Sequence, residues 1–212
     1  MNKRLLQLEL AETLKIISKK GVKGFYRGEV ADKIVTDMEN REGLISLQDL
    51  KEYRPVWREP LKGNFKEYEI ITMAPPSSGG IHIIQMLNIL ENFNLEELGH
   101  NSAAYAALLS KAMKFAYADR SKYLADPDFF EVPTSKLISK QYAQAIFKKI
   151  KLNKVTPSSE ILPGKLIPYE SKDTTHFSVA DSFGNVVTNT YTLNSGYGSG
   201  EDFKGTGIIK EY

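Results

Sequence analysis

The feature that most constrains the fold is a change in the spacing of apolar residues along the chain. Before residue 151, most apolar residues recur at intervals of three and four, which places them on one face of a helix. After residue 174, apolar and polar residues alternate, as in a β-strand. The stretch between them has no period and contains helix breakers, which are Pro157, Pro163, Gly164 and Pro168. This order predicts an α+β fold with a linker over 151–173.

The first part is expected to be mainly helical. Its apolar spacing predicts helices over the ranges 4–20, 30–38, 84–93, 101–124 and 138–150. Ser46 with Asp49 three residues later predicts one more short helix, because this pair can satisfy free amides at a helix start. Residues 60–74 alternate instead and predict a hairpin, with its turn at Lys62-Gly63-Asn64-Phe65 and a loop over 75–80 after it. The chain shows no internal repeat.

A second hairpin is expected to begin at Thr174. Thr175, Phe177 and Val179 alternate with their neighbours, and the β-branched stretch 186–193 predicts the returning strand. The turn is expected at Asp181-Ser182-Phe183-Gly184-Asn185. The glycine-rich stretch that follows lacks both the Lys-Ser/Thr and the helix of a phosphate-binding loop, so its glycines are expected to serve tight turns.

Composition excludes several functional classes. Lys and Arg number 28 against 26 for Asp and Glu, a net charge of +2, which gives no electrostatic basis for nucleic-acid binding. The absence of Cys excludes disulfides, thiolate catalysis and Cys-ligated zinc. No window approaches 18 uninterrupted apolar residues, so no membrane span is expected. Glu9 and Glu12 interrupt the first apolar stretch, so no signal peptide is expected and the compartment stays open.

The chain offers no metal-ligand or cofactor motif. His82, His100 and His176 lie far apart without the i, i+4 spacing of helical zinc ligands, so they are expected to be surface or hydrogen-bonded residues. Asp126-Pro127-Asp128 lacks the later Gly and Glu of a calcium loop and predicts only the end of a helix. We therefore expect neither a metal nor a cofactor.

The position of one residue in the sequence makes it a candidate nucleophile. Thr174 lies where the polar linker meets the first strand of the second part. A threonine hydroxyl needs a base within hydrogen-bond reach, and cleavage of the preceding peptide bond would give Thr174 an α-amine of its own to serve as that base. From spacing alone, the simpler interpretation is favoured: threonine often opens a strand because of its β-propensity.

Several motifs, in order, resemble γ-glutamyltranspeptidases, also called glutathione hydrolases. The start of that family's small subunit is similar to Thr174-Thr175-His176-Phe177-Ser178-Val179-Ala180-Asp181, then Gly184-Asn185, then Thr190-Tyr191-Thr192-Leu193-Asn194. The later part of its large subunit is similar to Gly24-Phe25-Tyr26-Arg27-Gly28, Pro75-Pro76-Ser77-Ser78-Gly79-Gly80, Ala116-Tyr117-Ala118-Asp119-Arg120 and Tyr123-Leu124-Ala125-Asp126-Pro127-Asp128-Phe129. The resemblance runs over nearly the whole chain.

This resemblance implies a fragment of an N-terminal-nucleophile hydrolase with an αββα sandwich. Residues 1–173 would be the later large-subunit-like region, ending in the linker at about 151–173, and residues 174–212 the start of the small-subunit-like region. The precursor would cleave itself between Asp173 and Thr174. Thr174 would be the nucleophile, Thr192 would hold its amine, and Asn194 would contact the α-amino end of the substrate.

By the same resemblance, the substrates would be glutathione and other γ-glutamyl compounds, with water, an amino acid or a peptide as acceptor. The family is commonly periplasmic, secreted or surface-exposed. The resemblance also implies truncation at both ends, because the substrate-clamping arginine, the acidic amine-binding stretch and the oxyanion-hole glycines of the family have no counterpart motif here. Lys111 stands where the family usually has Glu.

Three alternatives follow for the function. The chain is expected to be inactive alone, or to act with a complementing chain that supplies the missing parts. The third alternative is a non-catalytic, degenerate or partner-binding fragment. The resemblance does not separate them.

Overall fold

The structure is a computed structural model that describes residues 6–161, 174–192 and 197–210. The chain divides into two compact units: unit 1 is Met1–Val56 with Tyr169–Tyr212, and unit 2 is Trp57–Pro168. Both units combine helices with two-stranded antiparallel sheets, so the predicted α+β class is confirmed. In the described part of the chain, no helix has the length and apolar character needed to cross a membrane.

Unit 1 begins with four helices, α1 (Leu8–Lys20), α2 (Val22–Tyr26), α3 (Glu29–Asn40) and α4 (Leu47–Glu52). Helix α1 starts later than the predicted residue 4, since residues 6 and 7 precede it, and α2 was not predicted. The predicted cap of α4 is confirmed. The Ser46 hydroxyl accepts a hydrogen bond from the Asp49 amide at 3.3 Å, and Asp49 Oδ2 accepts one from the Ser46 amide at 2.8 Å.

The hairpin predicted at Thr174 is confirmed. Strand β3 (Thr174–Ala180) pairs antiparallel with β4 (Val186–Thr192). The turn between them is closed by Asp181, whose Oδ1 accepts hydrogen bonds from the amides of Phe183 and Asn185, each at 2.9 Å. Gly184 takes φ +84° there, a conformation that glycine adopts without a steric penalty.

The last described segment of unit 1 packs on its helices. Strands β5 (Asp202–Phe203) and β6 (Ile208–Ile209) pair with each other, and Phe203 joins Val30 and Ile34 in a small core. Thr206 between the strands is fully buried, and its carbonyl accepts a hydrogen bond from the Thr13 hydroxyl at 2.8 Å. This segment therefore completes the core of the unit.

Unit 2 contains one hairpin and five helices among its described residues. They are β1 (Leu61–Phe65), β2 (Tyr68–Thr72), α5 (Gly79–Leu90), α6 (Leu95–Leu98), α7 (Ala103–Tyr123), α8 (Thr134–Leu137) and α9 (Lys140–Phe147), followed by a 3-10 turn at Ser158–Glu160. Its core joins α5, α7 and α9 through Ile89, Leu108, Ala112 and Ile146. The predicted helix over 101–124 is confirmed, whereas α6 and α8 were not predicted.

Two predicted boundaries in unit 2 are wrong. The first hairpin turns at Lys66 and Glu67, where Lys66 takes φ +52°, because residues 62–65 are paired within β1. Gly63 of β1 packs on α5, where a Cβ would lie 2.8 Å from Cγ2 of Ile84. Helix α5 begins at Gly79 rather than after residue 80. At Gly80, a Cβ would lie 1.9 Å from the Met73 carbonyl oxygen, so only glycine lets the helix start there.

The predicted linker begins as an irregular segment held against α7. The buried Lys111 ammonium donates hydrogen bonds to the carbonyls of Lys151, Leu152 and Lys154, and Lys114 donates to the carbonyl of Thr156 at 3.1 Å. Helix α9 is also shorter than predicted, because Ser139 caps it and an irregular chain follows Phe147. Residues 162–173 of the linker, with Asp173, lie outside the described residues.

Candidate functional site

The candidate site starts from the first residue of β3. Thr174 is the cross-strand partner of Thr192, the last residue of β4, so the register brings together two of the three residues that the sequence singled out. Directly opposed residues in an antiparallel pair belong to the same face of the sheet. Asn194, the third residue, lies outside the described residues, as does the Asp173 side of the predicted cleavage point.

The same face carries an imidazole surrounded by hydroxyls. Next to the Thr174–Thr192 pair come the pairs His176–Thr190 and Ser178–Thr188. His176 Nδ1 lies 2.6 Å from Thr190 Oγ1, and its Nε2 lies 3.0 Å from Thr188 Oγ1. The Ser178 hydroxyl donates to Thr188 Oγ1 at 3.2 Å. We call the positions of these three pairs the polar face of the hairpin.

The opposite face is apolar and open. Phe177, Val179, Val187 and Tyr191 alternate with the polar face, and their exposed fractions range from 46% to 62%. Side chains of this size are normally covered in a folded protein, because each contributes about 1.5–3 kcal/mol when it is fully buried. The hairpin therefore has two different faces, one with hydroxyl and imidazole groups and one with exposed apolar side chains.

The histidines do not gather into a metal site. The described residues contain no group of three or more His, Cys, Asp or Glu side chains that could hold a metal ion. His82 is not a surface residue: it is buried against Tyr117, with ring centroids 5.0 Å apart, and its Nε2 has no hydrogen-bond partner among the described residues. Burial, helped by the charge of Arg120, lowers the pKa of His82 to about 4, so the ring is neutral at pH 7.

A buried polar link that the sequence did not predict joins three helices. Asp119 of α7 accepts hydrogen bonds from Gln85 Nε2 of α5 at 2.5 Å and from the Tyr142 hydroxyl of α9 at 2.9 Å. Burial raises the pKa of Asp119 above its ordinary value, although both hydrogen bonds oppose the shift. Burial and the neighbouring carboxylate raise the pKa of Tyr142. The only sequence signal was the position of Asp119 within one of the family-like motifs.

The described part of unit 1 also forms a groove of about 430 Å³. Its lining is polar and mostly charged, namely Glu29, Asp32, Lys33, Thr36, Asp37, Asn40 and Lys204. None of these belongs to the hairpin. The candidate site is therefore a strand face and not this groove.

Comparison with known proteins identifies the class. The sequence model of the family described as gamma-glutamyltranspeptidase matches residues 2–211. The glutathione hydrolase proenzyme of Escherichia coli K12 is 49% identical over 205 residues, which is 97% of this chain and 35% of that protein. The chain spans about a third of the length of the curated relatives it matches.

Solved structures agree in fold. The crystal structure of Helicobacter pylori gamma-glutamyltranspeptidase is 47% identical, covers 77% of this chain and 47% of that one, and gives a TM-score of 0.66. The cephalosporin acylase of Bacillus halodurans is 30% identical over 96% of this chain and 35% of that one, with a TM-score of 0.77. The fold that the chain shares with these structures defines an α+β protein of the N-terminal-nucleophile hydrolase class. Within that class, the chain belongs to the gamma-glutamyltranspeptidase family.

Proposed function

We propose that this chain carries the nucleophile of a γ-glutamyltranspeptidase and that Thr174 is that nucleophile. The observation that supports it is the place of Thr174 at the first position of β3, opposite Thr192, in a chain of this family. A free amine on the residue that bears the hydroxyl supplies a base without any second side chain.

Maturation would create that amine. Thr174 Oγ attacks the carbonyl carbon of Asp173, the peptide C–N bond breaks as the acyl group moves to oxygen, and the proton goes to the released amine. Water then opens the ester, which leaves the Asp173 carboxylate, the free hydroxyl and the free α-amine of Thr174. The products are chains covering residues 1–173 and 174–212, which is the boundary that we propose between large- and small-subunit-like regions.

The mature hydroxyl would transfer a γ-glutamyl group. Thr174 Oγ attacks the γ-carbonyl of glutathione or a related compound, and the α-amine takes the proton and gives it to the departing amine. The γ-glutamyl ester on Thr174 is then attacked by water, an amino acid or a peptide. In this proposal Thr192 holds the α-amine of Thr174, and Asn194 binds the α-amino end of the substrate.

Catalysis also needs groups that the polar face does not carry. An oxyanion hole and a clamp for the substrate α-carboxylate have to come from further polypeptide, in the same chain or in a complementing one. Loss of one oxyanion donor alone typically costs about 10² to 10³ in rate. The hairpin side chains described from 176 to 191 are all exposed, so additional polypeptide could cover both of its faces.

The same exposure favours one alternative, a non-catalytic partner-binding fragment. An apolar face and the outer edges of the two-stranded sheet that the described residues form can bind another protein without any reaction at Thr174. The two functions differ in one respect: only the catalytic one depends on the Thr174 hydroxyl.

A chimeric enzyme separates them. The segment of the Escherichia coli glutathione hydrolase proenzyme that matches this chain is replaced by residues 1–212, and cleavage is followed by intact mass and activity by release of a γ-glutamyl anilide. We expect a cut between Asp173 and Thr174 and multiple turnover. Thr174→Ala should abolish both, whereas Thr174→Ser, which keeps a hydroxyl, should retain part of them. Equal turnover with Thr174→Ala would refute the assignment.

A further inference from the structure

The unexplained feature of the hairpin is the imidazole at the centre of its polar face. His176 contacts hydroxyls on both of its ring nitrogens, and these contacts join it to two positions of the opposite strand, Thr188 and Thr190. Neither the proposed attack by Thr174 nor the proposed roles of Thr192 and Asn194 uses this ring.

The two distances favour one assignment of the donor in each ring contact. A neutral imidazole has one nitrogen that donates and one that accepts. O–H···O hydrogen bonds are typically about 2.7–2.8 Å and N–H···O bonds about 2.9–3.0 Å, so a donating hydroxyl makes the shorter contact. The 2.6 Å contact therefore fits Thr190 Oγ1 donating to Nδ1, and the 3.0 Å contact fits Nε2–H donating to Thr188 Oγ1. Ser178 donates to the same Thr188 oxygen.

This direction of donation fixes the orientation of the Thr190 hydroxyl on the polar face. The only hydrogen of the Thr190 hydroxyl is used toward His176, so its oxygen can act toward the rest of the face only as an acceptor. Thr190 is diagonal to Thr174 in the register, and diagonal positions are about 7–8 Å apart. At that distance the Thr190 oxygen does not hydrogen-bond the α-amine of Thr174. Its fixed dipole acts through space on the positive charge that the amine gains with the hydroxyl proton, with an effect of no more than about one hydrogen bond.

We infer that His176 is a positioning residue, which holds the Thr190 hydroxyl in one orientation beside the Thr174–Thr192 pair. This inference rests on the proposed function, since the charge that it concerns develops only if Thr174 reacts. Removal of the ring leaves Thr190 free to rotate. It therefore lowers the rate of the chemical step and leaves substrate binding nearly unchanged.

Two conservative variants separate the two ring contacts. The side-chain amide of Asn reaches the position of Nδ1, and that of Gln reaches the position of Nε2, because each has the same number of bonds from Cα. The chimeric enzyme with His176→Ala should lose about tenfold in kcat, the effect of about one hydrogen bond, with KM changed less than about twofold. His176→Asn should recover most of the rate, and His176→Gln should recover little.

A double-mutant cycle tests the pairing with Thr190. Thr190→Val should lower kcat as much as His176→Ala does, and the double variant should be no slower than either single one, because both remove the same contact. His100→Ala, outside the hairpin, is the matched control and should leave kcat unchanged. Additive losses, or recovery by Gln rather than Asn, would overturn the inference.

The ring contacts are also measured without activity. In the 212-residue chain with ¹⁵N-labelled histidine, at a pH high enough for imidazoles to be neutral, we expect the ring proton of His176 on Nε2, and Thr190→Val to shift the Nδ1 resonance. A ring that averages between tautomers and does not respond to Thr190→Val contradicts the inference. If the chimera matures poorly while the tautomer is fixed, the failure lies with the proposed function and not with the arrangement around His176.

Discussion

At the scale of single residues, the two adjacent glycines at the start of α5 have different roles. A Cβ at Gly80 would overlap the Met73 carbonyl oxygen, whereas a Cβ at Gly79 would lie 3.5 Å from the Ser77 hydroxyl, an ordinary contact. Only one of the two positions therefore requires glycine for close approach of the backbone.

We predict that Gly80→Ala destabilises the protein by about 2–4 kcal/mol, because the Met73 backbone has to move or the first turn of α5 has to unwind. Gly79→Ala is the matched control and should be neutral or stabilising by up to about 1 kcal/mol, since alanine has the higher helix propensity. Urea unfolding measures both variants. Equal loss in the two would contradict the predicted overlap.

The buried Asp119 predicts an unusual pH dependence. Its folded-state pKa is raised above the ordinary value of 3.8, so the folded state binds the proton more tightly than the unfolded state. This contribution to stability is complete below the unfolded pKa and is lost as the pH rises through the folded pKa, the reverse of a salt-bridged carboxylate.

Asp119→Asn removes this titration. We expect the variant to gain in unfolding free energy relative to the wild type as the pH rises from about 4 to about 7. Gln141→Ala, at an exposed position of α9 without a titratable group, is the control and should show no such relative gain. Urea unfolding at a series of pH values gives the difference, and a constant difference would contradict the predicted sign.

At the scale of elements, the beginning of the predicted linker is bound to α7 through Lys111. The hydrogen bonds from its ammonium to the three carbonyls fix residues 151–154 on the helix. Charged donors of this kind typically contribute about 1.5–3 kcal/mol each when buried. By resemblance to the family, a glutamate would be usual here, and a carboxylate cannot donate to these carbonyls.

We predict that Lys111→Met frees this segment and increases trypsin cleavage after Lys151 and Lys154 by about tenfold or more, because local opening controls proteolysis. Lys122→Met, at an exposed lysine of the same helix, should leave the cleavage rates unchanged. Mass spectrometry of early digests identifies the sites. Unchanged cleavage in Lys111→Met would show that the hydrogen bonds of Lys111 do not hold residues 151–154 on α7 in solution.

At the scale of the whole molecule, the described hairpin offers a nucleophile position without an enclosed site around it. Acyl transfer draws most of its rate from oriented substrate and preorganised donors, and exposed strand faces provide neither. We therefore expect the 212-residue chain alone to remain uncut between Asp173 and Thr174. We also expect it to release no γ-glutamyl anilide above background.

Intact-mass spectrometry and an anilide assay on monodisperse protein test this expectation, with Thr174→Ala as the control. The expectation would be contradicted by high-yield cleavage into two chains, residues 1–173 and 174–212, that does not occur in Thr174→Ala. Turnover that depends on Thr174 would show that the chain supplies catalytic groups besides those on the two described faces of the hairpin.

The family resemblance, and not the alternation of residues, singled out Thr174, Thr192 and Asn194. The alternation predicted the two strands that carry Thr174 and Thr192, and the register sets these two residues opposite each other. That His176 shares a face with Thr190 and contacts Thr188 and Thr190 depends on the cross-strand register. A single strand pattern contains no information about register.

What the sequence by itself determined are features whose partners lie within a few residues. The Ser46–Asp49 cap, the Asp181 turn and the amphipathic helices belong to this group. Tertiary structure alone decided the rest: Lys111 meets carbonyls about 40 residues away, Asp119 meets Gln85 34 residues away, and Gly80 faces the Met73 backbone across a bend. Local rules capture short-range hydrogen bonds and periodicity, whereas a close approach or a buried charge takes its partner from an element that the chain reaches only after folding.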